Sequence, residues 1–152
     1  MLMIGVAFHI VAAVIWVGGM FFALFVLRPS TGPLDPPTRL ALWERVFARF
    51  FPWVWGAVAV LLVSGFSMII WGFGGFDKIG TYVHVMMGLG IIMMLLYAHL
   101  YFAPWQRFRR AVAAGEWPVA AKNIDQIRLM VTINLVLGLI TVVVGAAGRY
   151  YG

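Results

Sequence analysis

Three imidazoles, His9, His84 and His99, are the histidines of this sequence, and each falls within a long apolar run. No Asp or Glu falls inside any of those runs. Ionisable groups within a bilayer mark proton and ion pathways, so this pattern argues against a proton pump or a carboxylate-lined cation path. The chain also has no cysteine, which leaves histidine, methionine and oxygen as the only metal donors. Two kinds of chemistry fit that set. Imidazoles can ligate the iron of a b-type haem from both sides, or imidazole and thioether together can hold copper.

His9 and His84 belong to different apolar runs, and each lies roughly 6–8 Å past the start of its run if both are helical. Entered from the same side of a membrane, the two runs bring these histidines to matching depth. Gly5, Ala12, Ala13, Trp16 and Gly19 share the His9 face at helical spacing, and Gly88 lies one turn beyond His84. Such small residues leave clearance for a flat macrocycle, and they also serve ordinary close packing of membrane helices. Met86 and Met87 follow His84, while Met93 and Met94 lie deeper in the same run and Met20 lies in the first. A copper site would therefore combine His9, His84, Met86 and Met87. The alternative is that each histidine bonds separately to a carbonyl or to water. His99, about 22 Å beyond His84, belongs at the opposite membrane surface, where it reads as an interfacial side chain or as a second site. Ser64, Ser67, Thr132, Asn134 and Thr141 are expected to bond between helices.

The elements that must position these groups follow from composition. Of 152 residues, 64% are apolar and 11% charged, and mean hydropathy is +0.99. A soluble fold of this size needs more polar surface than that, so lipid is the expected solvent. A spanning helix takes roughly 20 apolar residues. Four stretches qualify, at about 4–27, 53–71, 81–102 and 127–147, giving an all-α integral membrane four-helix bundle in a single transmembrane domain over 1–152. The first stretch has no basic leader and no small-x-small cleavage site before Arg28, and reads as a retained helix rather than a signal peptide.

Nine of the eleven basic residues flank one side of these spans: Arg28, Arg39, Arg45, Arg49, Arg107, Arg109, Arg110, Lys122 and Arg128. Only Lys78 and Arg149 flank the other. The positive-inside rule then puts loops 28–52 and 103–126 in the cytoplasm and both termini outside. Attraction to anionic headgroups accounts for the net charge of +6 without any nucleic acid. The proline-rich segment from Arg28 to Pro37 ends the first span. Thr38 to Phe51 reads as a short interfacial amphipathic helix with Leu42, Val46 and Phe50 on one face and Arg45 and Arg49 on another. Pro52 opens the second span, and the short link from Gly72 to Gly80 predicts that spans two and three are antiparallel neighbours.

The run from His9 to Phe22 with Leu27-Arg28-Pro29 resembles the opening helix of CopD-like membrane proteins. Phe50-Phe51-Pro52-Trp53, Tyr82-Val83-His84 and Phe108-Arg109-Arg110-Ala111-Val112 continue that likeness over nearly the whole chain. The arrangement is also similar to the HemJ-type protoporphyrinogen oxidases, a resemblance that implies haem b held by His9, with His84 matching the histidine that opens their third helix. Those proteins carry H-x-K where this chain has His84-Val85-Met86, which argues against that oxidase activity. The CopD resemblance implies copper handling at the periplasmic side of a bacterial inner membrane with a soluble copper carrier.

The expectation is a membrane protein whose outward His9/His84 site binds haem b for electron transfer, with quinone or a periplasmic protein as redox partner. Copper binding or uptake through His9, His84 and the nearby methionines is the alternative. A structural or assembly subunit without cofactor is the third reading, and homo-oligomerisation is left open.

Overall fold

The computed structural model describes residues 2–151. It is helical almost throughout, and four helices are long and apolar enough to cross a membrane. Helix α1 covers Leu2–Ser30, α2 covers Pro36–Gly72, and the third span, Thr81–Ala114, divides into α3 (Thr81–Phe102) and α4 (Pro104–Ala114). Helix α5, Trp117–Ala147, ends in a single 3₁₀ turn, Gly148–Tyr150. The chain is thus a multi-pass membrane protein, an all-α bundle whose two ends differ: one carries most of the basic side chains and the other carries the termini.

Helices α1, α2 and α5 outrun their apolar cores because a helix extends beyond the hydrocarbon layer wherever its backbone groups can be satisfied. The expected interfacial helix over Thr38–Phe51 is helical, but it is the first part of α2 rather than a separate element. Asp35 caps that helix, accepting from the Thr38 backbone N–H at 3.2 Å, and Pro36 and Pro37 occupy its first turn, where a missing N–H costs nothing. Pro52 sits inside α2 without ending it. The buried stripe of this segment is Leu40, Trp43, Phe47 and Phe51, which turns into the bundle instead of resting on headgroups. Helix α4 behaves similarly. It buries Pro104, Trp105, Phe108 and Ala111, leaves Arg109 and Arg110 exposed, and stops at Gly115, whose φ of 70° supplies the left-handed cap.

Spans two and three, as their short link predicts, are neighbours that meet through side chains, with the Trp55 ring centroid 4.9 Å from that of Tyr97 and 5.3 Å from that of Tyr101, although their backbones are not among the closest pairs. The closely packed pairs are α1 with α2, α3 with α5, and α4 with α5. Glycines facing bulky partners explain this choice. A Cβ on Gly19 of α1 would collide with the Phe50 ring of α2. On α5, a Cβ at Gly138 would lie 2.9 Å from Val17 and 3.1 Å from Met93, and one at Gly145 would lie 2.8 Å from Met86. Gly74 (φ 85°) and Gly75 (φ 121°) supply the left-handed backbone of the turn between α2 and α3.

The best-buried large side chains are Trp105, Phe108, Leu100, Ile127, Val54 and Pro104. They lie in the middle and basic half of the bundle. There Phe51 packs against Trp105 and Tyr97 with ring centroids 5.0 and 5.7 Å apart, and the Tyr97 hydroxyl donates to the Phe51 carbonyl at 2.9 Å.

Candidate functional site

His9 lies on the α1 face that also carries Ala12, Trp16 and Met20, all three buried. Its Nδ1 is 2.8 Å from the Ser64 hydroxyl of α2. That hydroxyl donates its single proton to the Val60 carbonyl at 2.6 Å, so towards His9 it can only accept. Nδ1 therefore carries the imidazole proton, and Nε2 keeps a free lone pair. Fixing one ring nitrogen through a second residue so that the other can bind a metal is a common way to orient a histidine ligand.

Small residues and one thioether complete this corner. The His9 ring lies against Gly65, where a Cβ would come 3.4 Å from Cε1. Gly5, one turn before His9, faces Met68, whose Cγ and Sδ would lie 3.3 and 3.8 Å from a Cβ there. Ser64 and Met68 are four residues apart and share a face of α2, so imidazole and thioether occupy the same α1/α2 seam. Met68 also begins a π-helical turn, Met68–Gly72, a geometry often found beside functional sites. Beside the seam runs an open, largely apolar groove of about 420 Å³ lined by Gly5, Phe8, Val60, Val63, Ser64 and Ser67.

The remaining histidines are placed differently. His84 is exposed in the first turn of α3, with Nδ1 3.3 Å from the Gly80 carbonyl. A carbonyl can only accept, so His84 too presents Nε2. Helices α1 and α3 are not among the closely packed pairs, and no hydrogen bond joins His9 to His84. His99 is exposed in the last turn of α3 at the basic end. Among the described residues, no three His, Asp or Glu side chains come together.

Of the methionines singled out in the sequence, Met86 turns its thioether onto Gly145 of α5, and Met93 is buried with its methyl over Gly138. Met20 is buried in α1, while Met87 and Met94 are half-buried in α3. Met68, which sequence reasoning did not single out, is the methionine that packs on Gly5, one turn before His9. The Ser64-x-x-x-Met68 spacing was visible, but its meaning depended on knowing that this face of α2 meets Gly5 and His9. Asn134 is buried and donates to the Met93 carbonyl at 3.1 Å, linking α5 to α3, while its Oδ1 has no partner among the described residues.

The family model of CopD, copper resistance protein D, matches residues 44–147. This match takes in most of α2 and all of α3, α4 and α5, with Ser64, Met68, His84 and His99, and begins after His9. No curated protein and no solved structure matches the chain. The match extends over more than half of the sequence and over three of the four spans, and on that ground this membrane protein belongs to the CopD family, copper resistance protein D.

Proposed function

We propose that the chain handles copper as cargo, taking up Cu(I) at the end of the bundle that carries the termini. The observation that carries this reading is the Ser64-fixed imidazole of His9, with Nε2 free and the Met68 thioether in the same seam. Imidazole and thioether are donors that a soft cuprous ion accepts at low coordination number. His84 is the second imidazole at this end and Met87 a further thioether. The bias of nine basic residues against two supports a cytoplasmic basic end, which would turn His9 towards the periplasm of a bacterial inner membrane. A soluble periplasmic copper carrier is the matching partner.

A haem b reading, in which His9 and His84 ligate one iron, draws support from a different observation. Both rings keep Nε2 free, and both lie towards the same end of the bundle. One experiment separates the two readings: an absorption spectrum of detergent-purified protein before and after dithionite, with metal analysis on the same sample. The copper reading expects no Soret band, bound copper, and its loss in His9→Ala. A Soret band with sharp reduced α and β bands would overturn it in favour of haem.

A further inference from the structure

At the basic end, the junction of α4 and α5 sets two arginines and one carboxylate around a single open cavity of about 340 Å³, lined by Arg107, Arg110, Glu116 and Val119 with Ala111 and Ala114 between them. Arg107 is held there by neutral groups. Its Nε donates to Asn123 Oδ1 at 3.0 Å and its Nη2 to Gln126 Oε1 at 3.1 Å. Buried Asn123 is itself oriented by its Nδ2, which donates to the Val119 carbonyl at 3.0 Å. Amide oxygens fix a guanidinium in place without cancelling its charge, and its remaining N–H donors are left for another acceptor. Arg110 donates from Nε to the Gln106 carbonyl at 3.3 Å, again a neutral partner. Neither arginine pairs with Glu116: among the described residues, the one ion pair joins Arg128 to Asp125.

We infer that this junction binds a glycerophospholipid whose headgroup carries a primary ammonium, as phosphatidylethanolamine does, with the phosphate between Arg107 and Arg110 and the ammonium at Glu116. The inference is independent of the copper reading. Guanidinium is the side chain best shaped to receive a phosphate, and a primary ammonium can donate to a carboxylate where a quaternary one cannot. A headgroup with negative charge alone would leave Glu116 facing an anion. The surface below the cavity is what a lipid requires. Val119, Gln126, Leu129, Ile133 and Val136 recur at helical spacing along one face of α5, and Leu129, Ile133 and Val136 are exposed within the fourth span, where exposure means contact with acyl chains. Asn123 and Gln126, which hold Arg107, stand within about 6 Å of Ile127, where the apolar run begins, and so at headgroup level. Glu116 precedes α5 and stands further out. Apolar stripe, arginines and carboxylate thus follow one another in the order of acyl chain, phosphate and ammonium.

The test is native mass spectrometry of the full chain released from micelles containing equal amounts of phosphatidylethanolamine, phosphatidylcholine and phosphatidylglycerol. The native sequence should retain phosphatidylethanolamine in preference to both others. Loss of a hydrogen bond to a charged group costs about tenfold in affinity or more, so Arg107→Gln and Arg110→Gln should each lower its retention by about that factor. Arg110→Gln leaves the Asn123 and Gln126 bonds of Arg107 intact, so the result does not depend on Arg107→Gln folding. Arg109→Gln removes the same charge from an exposed neighbour on α4 that does not line the cavity and should leave retention within about twofold. Glu116→Gln should abolish the preference over phosphatidylcholine and shift binding towards phosphatidylglycerol. Equal losses in Arg109→Gln and Arg110→Gln, or a native preference for phosphatidylglycerol, would reduce the site to general basic attraction and overturn it. Displacement of the lipid by soluble phosphoethanolamine at matched ionic strength would overturn the assignment to a lipid.

Discussion

Replacing Ser64 by alanine tests whether His9 is a positioned ligand or only a packed side chain. In the native protein the hydroxyl proton goes to the Val60 carbonyl at 2.6 Å, and the hydroxyl lone pair holds the His9 Nδ1–H at 2.8 Å. Ser64→Ala removes the acceptor. The Val60 carbonyl keeps its backbone bond within α2, so fold stability should fall by only about 1 kcal/mol, the net worth of one hydrogen bond. The effect on the imidazole is larger, because the ring can then exchange tautomers and rotate away from the seam. Loss of an orienting partner costs about 10- to 100-fold in metal affinity, equivalent to about 1.4–2.7 kcal/mol. The assay is competition for Cu(I) against a chromophoric chelator in detergent. Ser64→Ala should weaken binding by that factor, His9→Ala should abolish it, and Ser64→Thr, which keeps the hydroxyl, should restore it. If Ser64→Ala binds within twofold of native while His9→Ala binds nothing, the positioning argument is refuted.

Other consequences concern packing and capping. Gly18 and Gly19 are neighbours with opposite surroundings: a Cβ on Gly18 meets nothing within 4 Å, while one on Gly19 collides with the Phe50 ring. Gly18→Ala should leave thermal stability unchanged or slightly raised, and Gly19→Ala should lower it by about 1–3 kcal/mol as α1 and α2 are forced apart; equal effects would contradict the observed seam. For Asn134, the unpartnered Oδ1 costs about as much as the Nδ2 bond to Met93 returns. Asn134→Leu should accordingly be neutral or stabilising in detergent melts, whereas Asn134→Ala, which opens a cavity, should destabilise by about 1–2 kcal/mol. The side-chain hydrogen bond from Thr38 holds the Asp35 carboxyl below its ordinary value. A lowered carboxylate pKa means the cap is intact above the unfolded value and is lost as pH falls through the folded one. Hydrogen exchange at the Thr38 amide should thus become less protected at acid pH in the native chain, and stay independent of pH in Asp35→Asn; a pH-insensitive native amide would count against the cap.

Sequence and structure agree most where a single property decides the outcome. Apolar length alone located four spans, and the third began and ended as expected, at Thr81 and Phe102, because Gly80 and Pro104 punctuate it chemically. Helix α2 begins far earlier than its apolar core, at Pro36, since hydropathy registers the hydrocarbon layer and not the helix that continues beyond it. Pro52 looked like a start signal and proved to be an interior residue. The pairing of α1 with α2 and of α3 with α5 was not legible. It depends on which glycine meets which bulky side chain across a gap, as with Gly145 and Met86, and nothing along one chain records that. The candidate site shows the same division. His9 and Ser64 each stood out as a costly polar group in an apolar run, yet their bond to one another joins positions 55 residues apart.

The uneven burial along the bundle bears on how such a site could work. Trp105, Phe108, Leu100 and Ile127 are almost completely inaccessible, and the rings of Phe47, Phe51, Trp55, Tyr97 and Trp105 meet edge to face around them, an arrangement that adds specific attraction to area burial. At the other end, Ile4, Phe8 and His84 are exposed and α1 does not pack closely on α3. Local opening is cheapest where buried contacts are few. A bundle locked at its aromatic basic half can therefore let its His9 end adjust without losing the fold. Substitutions at His9, Ser64 or Met68 should consequently alter binding much more than melting temperature, whereas Phe108→Ala should reverse that order, with a stability loss of about 3–5 kcal/mol. Melting curves and Cu(I) titrations on the same preparations would decide it, and comparable stability losses at both ends would show that the His9 end is part of the structural core.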